Sequence, residues 1–304
     1  IIMRCLFLYN PQSGKSRILK YVAYITEKLQ EQYTNVDVHA TISREDTILQ
    51  AKRACKVYDL LVFSGGDGTF NDIITGVSEC QERPVLGYIP SGTVNDIARN
   101  LKLSYHPKKA IKSILSGEVI SHDVGKISDR FFMYVAAIGT FTGVSYRTEQ
   151  RIKKKLGKLA YIFDGIQDVF HPVFTNVKIE TESTVINEVA SLVLVLNSRS
   201  VGGVIFNPEG HLNDGYFDVV LVKKDYFGGI LNIVKMFLFK VSRKRKRKYL
   251  SVVRAKDISL TVENDVVWCL DGEEGPKGPI KIQNLKEHIQ IIVPKKKKKK
   301  IELR

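Results

Sequence analysis

The stretch Leu60-Leu61-Val62-Phe63-Ser64-Gly65-Gly66-Asp67-Gly68-Thr69-Phe70-Asn71, continued by Asp72-Ile73-Ile74-Thr75-Gly76-Val77, decides how this chain is read. An apolar run leads into glycines and then into a segment of helical period, which is the order strand, tight turn, helix N-terminus. Glycine lets the backbone turn sharply and lets a ligand approach it closely. The N–H groups that open a helix have no intrahelical acceptor and suit an anion such as phosphate. A carboxylate in the middle of such a turn repels phosphate unless a cation lies between them, so Asp67 points to Mg²⁺ bound together with the phosphate. The plain alternative, glycines present for turn geometry alone, leaves Asp67 unexplained.

Working outward, residues 1–120 alternate strand-like runs with helical segments. Strands are expected at Met3–Leu8, Val36–Thr41, Leu60–Phe63 and Val85–Ile89. Helices are expected near Lys15–Gln32, Arg44–Lys56, Asn71–Cys80 and Pro107–Ser116. That alternation predicts a mostly parallel α/β domain, whose ligands sit beyond the C-terminal ends of the strands. Residues 121–294 have a different texture, with strands expected at His122–Ser128, Phe131–Ile138, Val177–Thr181, Ala190–Asn197, Phe217–Val222, Ile258–Val262 and Val266–Leu270. Helical stretches near Arg151–Phe170 and Tyr226–Lys240 interrupt them. We read a second, β-rich domain of sandwich type. The closing Ile289–Val293 strand fits either domain, and residues 295–304 form a basic, low-complexity tail.

The net charge of +15 is unevenly spread. Arg243–Lys248 and Lys295–Lys300 supply twelve of the positive charges, so the remainder sums to about +3. Such runs attract acidic phospholipid headgroups or nucleic acid. No aromatic residues interleave with them, which argues against nucleic acid as the main partner. The apolar segment Tyr226–Lys240, ending in the Arg243–Lys248 run, has the pattern of a peripheral membrane foot. A helix packed in the core with a solvated cationic end is the competing account. No apolar stretch is long enough to span a bilayer, and no N-terminal signal is evident. Cys5, Cys55, Cys80 and Cys269 show no CxxC pair or metal-ligand spacing, so four free thiols in a reducing, cytoplasmic setting are expected.

Two further loops share the device of the first. Asn10-Pro11-Gln12-Ser13-Gly14-Lys15-Ser16 follows the first strand and resembles a P-loop whose first glycine is replaced by Tyr9, a poor fit to a P-loop NTPase. Ser91-Gly92-Thr93-Val94-Asn95-Asp96-Ile97-Ala98-Arg99 follows the fourth strand and again offers small residues, a carboxylate and a cation at a helix start. Taken alone it is also a capping turn.

With these loops in place, the chain resembles the diacylglycerol kinase catalytic-domain family in its bacterial soluble lipid-kinase branch. The motifs carrying the resemblance are Asn10-Pro11-x-Ser13-Gly14-Lys15, Gly65-Gly66-Asp67-Gly68-Thr69-x-Asn71, Gly92-Thr93-x-Asn95-Asp96-x-Ala98-Arg99, His211-Leu212-Asn213-Asp214-Gly215-Tyr216-Phe217-Asp218 and Asp271-Gly272-Glu273. The glycine–aspartate loop alone is shared with NAD kinases and phosphofructokinases. All five motifs in order make the signal strong.

The resemblance implies an ATP- and Mg²⁺-dependent kinase acting on a lipid hydroxyl at a membrane surface, with the active site in the cleft between two domains. Diacylglycerol giving phosphatidic acid is the first expectation; sphingoid bases or ceramide are others. It places ATP against Asn10, Pro11, Gln12, Ser13, Gly14, Thr41, Gly65, Gly66, Asp67, Gly68, Thr69, Asn71 and Thr93, with Lys15 and Arg99 offsetting phosphate charge. Asp67, Asp96 and Asp123 would hold the catalytic Mg²⁺, largely through water, as suits that ion. For Asp123 a strand-edge cap is the competing role. Glu273 would be the general base, with Asp271 as alternative base or orienting partner; an acidic hairpin turn is the plain account of both. Asp214, with the backbone carbonyls of His211 and Tyr216, would hold a second, structural Mg²⁺, although Asn-Asp-Gly also suits a simple hairpin turn. The rivals are an NAD kinase and a non-catalytic lipid- or nucleic-acid-binding protein. The location implied is cytoplasmic, on the inner face of the membrane, and a homodimer is compatible with the sequence.

Overall fold

The expectation of an α/β half and a β-rich half is met in the computed structural model, which describes residues 3–93, 95–140, 174–201, 204–205, 207–224, 232, 235, 241, 247–263 and 265–295. The helix expected near Arg151–Phe170, nearly all of that expected at Tyr226–Lys240, and most of both basic runs lie outside the described residues. The chain divides into two units, residues 1–121 with 289–304, and residues 122–288. Among the described residues no helix is long and apolar enough to cross a membrane.

In the first unit, β1 (Arg4–Tyr9), β2 (Asn35–Ala40), β3 (Leu60–Gly65) and β4 (Val85–Pro90) form a parallel sheet in the order β2-β1-β3-β4. All six β3 residues are buried, as befits a strand covered on both faces. The helices are α1 (Val22–Gln30), α2 (Arg44–Ala54), α3 (Asp67–Ser78), α4 (Asp96–Asn100) and α5 (Pro107–Ser116). Pro107 opens α5, where its missing N–H costs nothing, and Ala110, Ile111 and Ile114 form its buried stripe. Two helices differ from expectation. The Lys15–Gln32 segment is split, because Gly14 and Ser16 are left-handed (φ +56° and +59°); Ser13–Tyr21 is 3₁₀ and α1 starts only at Val22. Helix α3 begins at Asp67 rather than Asn71, capped by Gly66, so the glycine–aspartate motif is itself the first helical turn.

The second unit is antiparallel. β5 (Glu118–Ile127) carries the chain into it, followed by β6 (Arg130–Phe132), β7 (Val135–Gly139), β8 (Thr175–Glu180), β9 (Val185–Leu196), β10 (Ser200–Val201) and β11 (Val204–Ile205). Then come β12 (Phe217–Lys223), β13 (Leu250–Ala255), β14 (Asp257–Thr261), β15 (Val267–Leu270), β16 (Glu273–Lys277) and β17 (Ile280–Val293). The long β9 pairs with β8 over residues 185–190 and with β7 and β12 over its second half. The core under these strands contains Phe132 stacked on Phe217 at 5.6 Å, and a fully buried Trp268 whose indole N–H donates to the Gly278 carbonyl at 2.9 Å. The start of β17 pairs with β14, while Ile291 near its end lies parallel to Leu86 of β4 and so adds a strand to the first unit.

One expectation fails outright. Cys55 and Cys80 form a disulfide, with Cα atoms 6.4 Å apart, while Cys5 and Cys269 are buried thiols outside any disulfide. The pairing joins the end of α2 to the end of α3, two helices packed so closely that a Cβ on Gly76 would lie 2.4 Å from the Ile48 carbonyl oxygen. Burial pushes the Cys5 thiol up to about 12, which suppresses its thiolate. Titration with a disulfide-exchanging dye is therefore expected to find almost no reactive thiol in the folded chain. Two should appear on unfolding without reductant and all four after reduction; four on unfolding alone would exclude the bridge.

Candidate active site

Three loops of the first unit meet at the C-terminal ends of β1, β3 and β4, where the strand order reverses between β1 and β3. They are tied by backbone and hydroxyl groups. The Asn10 N–H donates to the Ser64 carbonyl (2.9 Å) and the Ser91 N–H to that of Gly65 (2.8 Å). The Ser64 hydroxyl donates to Ser91 Oγ (3.2 Å), which in turn donates to Ser13 Oγ (3.1 Å). Asn10 Oδ1 accepts the Gln12 N–H at 2.9 Å, folding the Asn10-Pro11-Gln12 turn on itself. Thr41, buried at the end of β2, donates its N–H to the Tyr9 carbonyl at 2.9 Å and so flanks this loop.

The glycines are needed here. A Cβ on Gly92 would lie 2.5 Å from Gly66 Cα, and one on Gly65 would lie 2.3 Å from the Thr69 side chain. Gly14 is left-handed, and a Cβ on it would lie 1.8 Å from the Ser91 carbonyl oxygen. Gly14→Ala is accordingly expected to cost about 1–3 kcal/mol in urea unfolding and to weaken nucleotide binding together with stability.

Beneath the loops, Phe63, Phe70 and Tyr88 form an aromatic cluster with centroids 4.9–5.2 Å apart. The Tyr88 hydroxyl reaches up from it to the Gly65 carbonyl (3.1 Å) and Asn95 Oδ1 (3.3 Å). Asn95 also accepts the Gly92 N–H at 2.9 Å and donates to the Gly92 carbonyl at 2.7 Å, while itself in the left-handed region (φ +53°). It is the residue most central to this loop that the candidate set omits. The clue was its type, since asparagine tolerates this conformation better than most side chains.

Asp67 and Asp96 are brought together at the starts of α3 and α4. Asp67 Oδ1 accepts the Ile97 N–H at 3.4 Å, and Asp96 is 2% exposed. Burial first, then the charge of Asp96, pushes the Asp67 carboxyl from 3.8 up to about 6. Arg99 brings one guanidinium to 3.6 Å from Asp96 Oδ1. Asn71 Oδ1 is buried without a hydrogen-bond partner among the described residues. A buried carboxylate whose proton affinity is raised by a second one beside it is what a hydrated divalent cation relieves, so these residues fit Mg²⁺. Thr93 is exposed on the same loop.

In the second unit Asp123 is tied to the 211–216 turn. Its carboxylate accepts the Gly215 N–H (2.6 Å) and the Glu287 N–H (2.7 Å), and its own N–H donates to the Leu212 carbonyl (2.7 Å). Its pKa is raised, mainly by burial. That is the geometry of a turn holder. At the turn expected to hold a structural Mg²⁺ through Asp214 and the carbonyls of His211 and Tyr216, Asp214 is engaged by a cation of the chain. Asp214 Oδ2 accepts from the Arg254 guanidinium (2.5 Å), with His211 Nδ1 at 3.7 Å, and Oδ1 accepts the Tyr216 N–H at 3.0 Å. No group of three or more metal-ligating side chains occurs among the described residues.

Asp271 and Glu273 stand in different surroundings on either side of the Gly272 turn. Leu270 pairs with Glu273 across a two-residue turn whose central residues both have positive φ (+50° and +90°), as Asp-Gly favours. Asp271 turns inward, 4% exposed, and accepts the N–H groups of Met133 (2.5 Å), Tyr134 (2.9 Å) and Val135 (2.9 Å). The Tyr134 hydroxyl donates to its carbonyl at 2.8 Å. Three N–H donors on a buried carboxylate suit an orienting role better than that of an accessible base. Glu273 opens β16 and is exposed.

Comparison with known proteins agrees with this layout. The diacylglycerol kinase catalytic domain matches residues 4–127, and the YegS C-terminal NAD kinase beta sandwich-like domain matches residues 137–293. A diacylglycerol kinase of Staphylococcus carnosus (strain TM300) is 32% identical over 296 residues, covering 96% of this chain and 95% of its own length. The chain belongs to the diacylglycerol kinase family. A diacylglycerol kinase of Bacillus subtilis (strain 168) is 30% identical over 302 residues, 98% of this chain and 99% of that one. The crystal structure of a putative diacylglycerol kinase from Bacillus anthracis str. Sterne superposes with a TM-score of 0.82 at 26% identity, covering 95% of this chain and 96% of that one. As a member of this family the chain is a lipid kinase, with an α/β catalytic half and a C-terminal β-sandwich-like half.

Proposed function

We propose that this lipid kinase transfers the γ-phosphoryl group of ATP to the hydroxyl of diacylglycerol, giving phosphatidic acid, with Mg²⁺ as the required ion. The pairing of Asp67 with Asp96 at the mouth of three phosphate-sized loops carries the reading. These two carboxylates would hold Mg²⁺, which when bound offsets negative charge on the phosphates during transfer. The amides opening α3 give phosphate oxygens donors at close range. Arg99 adds a cation beside them, and Lys15 is its counterpart by resemblance. Glu273 accepts the proton of the acceptor hydroxyl as that oxygen bonds to phosphorus and the bond to the ADP oxygen breaks. Asp271 fixes the turn from which Glu273 projects.

The test is transfer of labelled γ-phosphate from ATP to diacylglycerol in mixed micelles, with Mg²⁺ and with chelator. Label in phosphatidic acid only with Mg²⁺ supports the proposal. Label in another lipid of a mixed extract, such as a sphingoid base or ceramide, moves the acceptor within the class. Label in NAD instead would overturn the acceptor reading, as the shared glycine–aspartate loop makes that the nearest rival.

A further inference from the structure

The turn at residues 211–216 carries the ligand pattern of a divalent-cation site but is surrounded by the chain's own cations. Asp214 is the sole carboxylate of that expected set. One of its oxygens is taken by the Arg254 guanidinium and the other by the Tyr216 N–H. The same guanidinium lies 4.1 Å from the centroid of the Tyr216 ring, with Lys256 Nζ 5.1 Å from that centroid. The Lys286 stem runs so close to Gly215 that a Cβ there would meet it at 3.1 Å. Arg254 is placed by the β12–β13 ladder, opposite Asp218, so its position beside Asp214 is set by strand register rather than by a loose surface contact. A divalent ion seated on Asp214 would meet this guanidinium at contact range and be repelled by it. The work such an ion would do, holding Asp214 so that Gly215 (φ +77°) and Tyr216 keep their turn, is already done by Arg254 stacked on the ring.

We propose that Arg254 serves as the built-in cation of the 211–216 turn, in place of a divalent ion. This does not rest on the lipid acceptor or on the base, and its test reads neither. Hydrogen exchange at the Tyr216 amide, which donates to Asp214, is followed in the full chain in chelator and in excess Mg²⁺ alone. In the wild type the rate is expected to be the same in both. In Arg254→Met, which keeps the apolar stem on the ring, exchange in chelator should be about two- to fivefold faster, the range expected of a half-exposed ion pair. Mg²⁺ should slow it again, because Asp214 then lacks its cation. Unchanged protection of Val193–Val195 in β9 shows that the variant is folded. Slower exchange of the wild-type Tyr216 amide on adding Mg²⁺ would overturn the proposal, whatever the variant does. So would an unchanged rate in folded Arg254→Met in chelator.

Discussion

Glu273→Gln is expected to lower single-turnover phosphorylation of the lipid by about 10²–10⁴-fold, the usual contribution of a positioned general base. The amide has the size and hydrogen-bonding reach of the acid but cannot take up a proton at neutral pH. Glu273 is exposed at the first position of β16, and its backbone register is set by the Asp271-Gly272 turn rather than by its own side chain. Stability should therefore stay within about 0.5 kcal/mol of wild type. Nucleotide affinity should also be unchanged, because the loops assigned to ATP belong to the other unit. Single-turnover measurement matters, since slow product release would hide a loss in the chemical step. Turnover within twofold of wild type would remove Glu273 from the reaction and leave the proton to solvent or to another group.

The parts of this fold that can be read from sequence are those where local pattern and tertiary environment agree. Strands β1, β3 and β4 are apolar runs that stop at Asn10, Ser64-Gly65 and Pro90-Ser91, and their ends coincide with the motif loops. The edge elements were not legible. Strand β13, Leu-Ser-Val-Val-Arg-Ala, is mostly half-buried and carries no clean alternation, so nothing in the sequence marks it as a strand or singles out Arg254. Strand β16, Glu-Glu-Gly-Pro-Lys, has strand-averse residues and exists because the Asp-Gly turn returns it onto β15. The disulfide joins residues 25 apart through helix packing that no spacing rule encodes.

The site divides in the same way. Asp67 stands out in the sequence because glycines needed for turn geometry alone leave a carboxylate among them unexplained, and the first turn of α3 places it against Asp96. Asp123 sits in a recognisable motif, yet its hydrogen-bond partners lie 92 and 164 residues away, so its attachment to the 211–216 turn could not be inferred. Motif order identifies which residues matter. Which of them touch each other is a property of the packing.

Asp271→Ala is expected to destabilise the second unit by about 3–5 kcal/mol, the largest stability loss of any substitution considered. The substitution strands the N–H groups of Met133, Tyr134 and Val135 in a buried position, where each unsatisfied donor costs about 1–3 kcal/mol. It also forces alanine into a left-handed backbone (φ +50°) that aspartate tolerates better, at about 1 kcal/mol. Partial collapse of the turn and entry of water keep the total below the simple sum. Asp271→Asn retains one carbonyl oxygen as acceptor and the same backbone preference, so its cost should fall between wild type and alanine. The readout is the urea midpoint at unchanged slope. Lipid phosphorylation should fall with Asp271→Ala as well, because the β15–β16 turn that aims Glu273 is loosened. Activity lost with stability at Asp271, but without it at Glu273, separates the group that orients from the group that reacts. A cost below about 1 kcal/mol for Asp271→Ala would mean that the three N–H groups find other acceptors, and that the turn does not depend on this carboxylate.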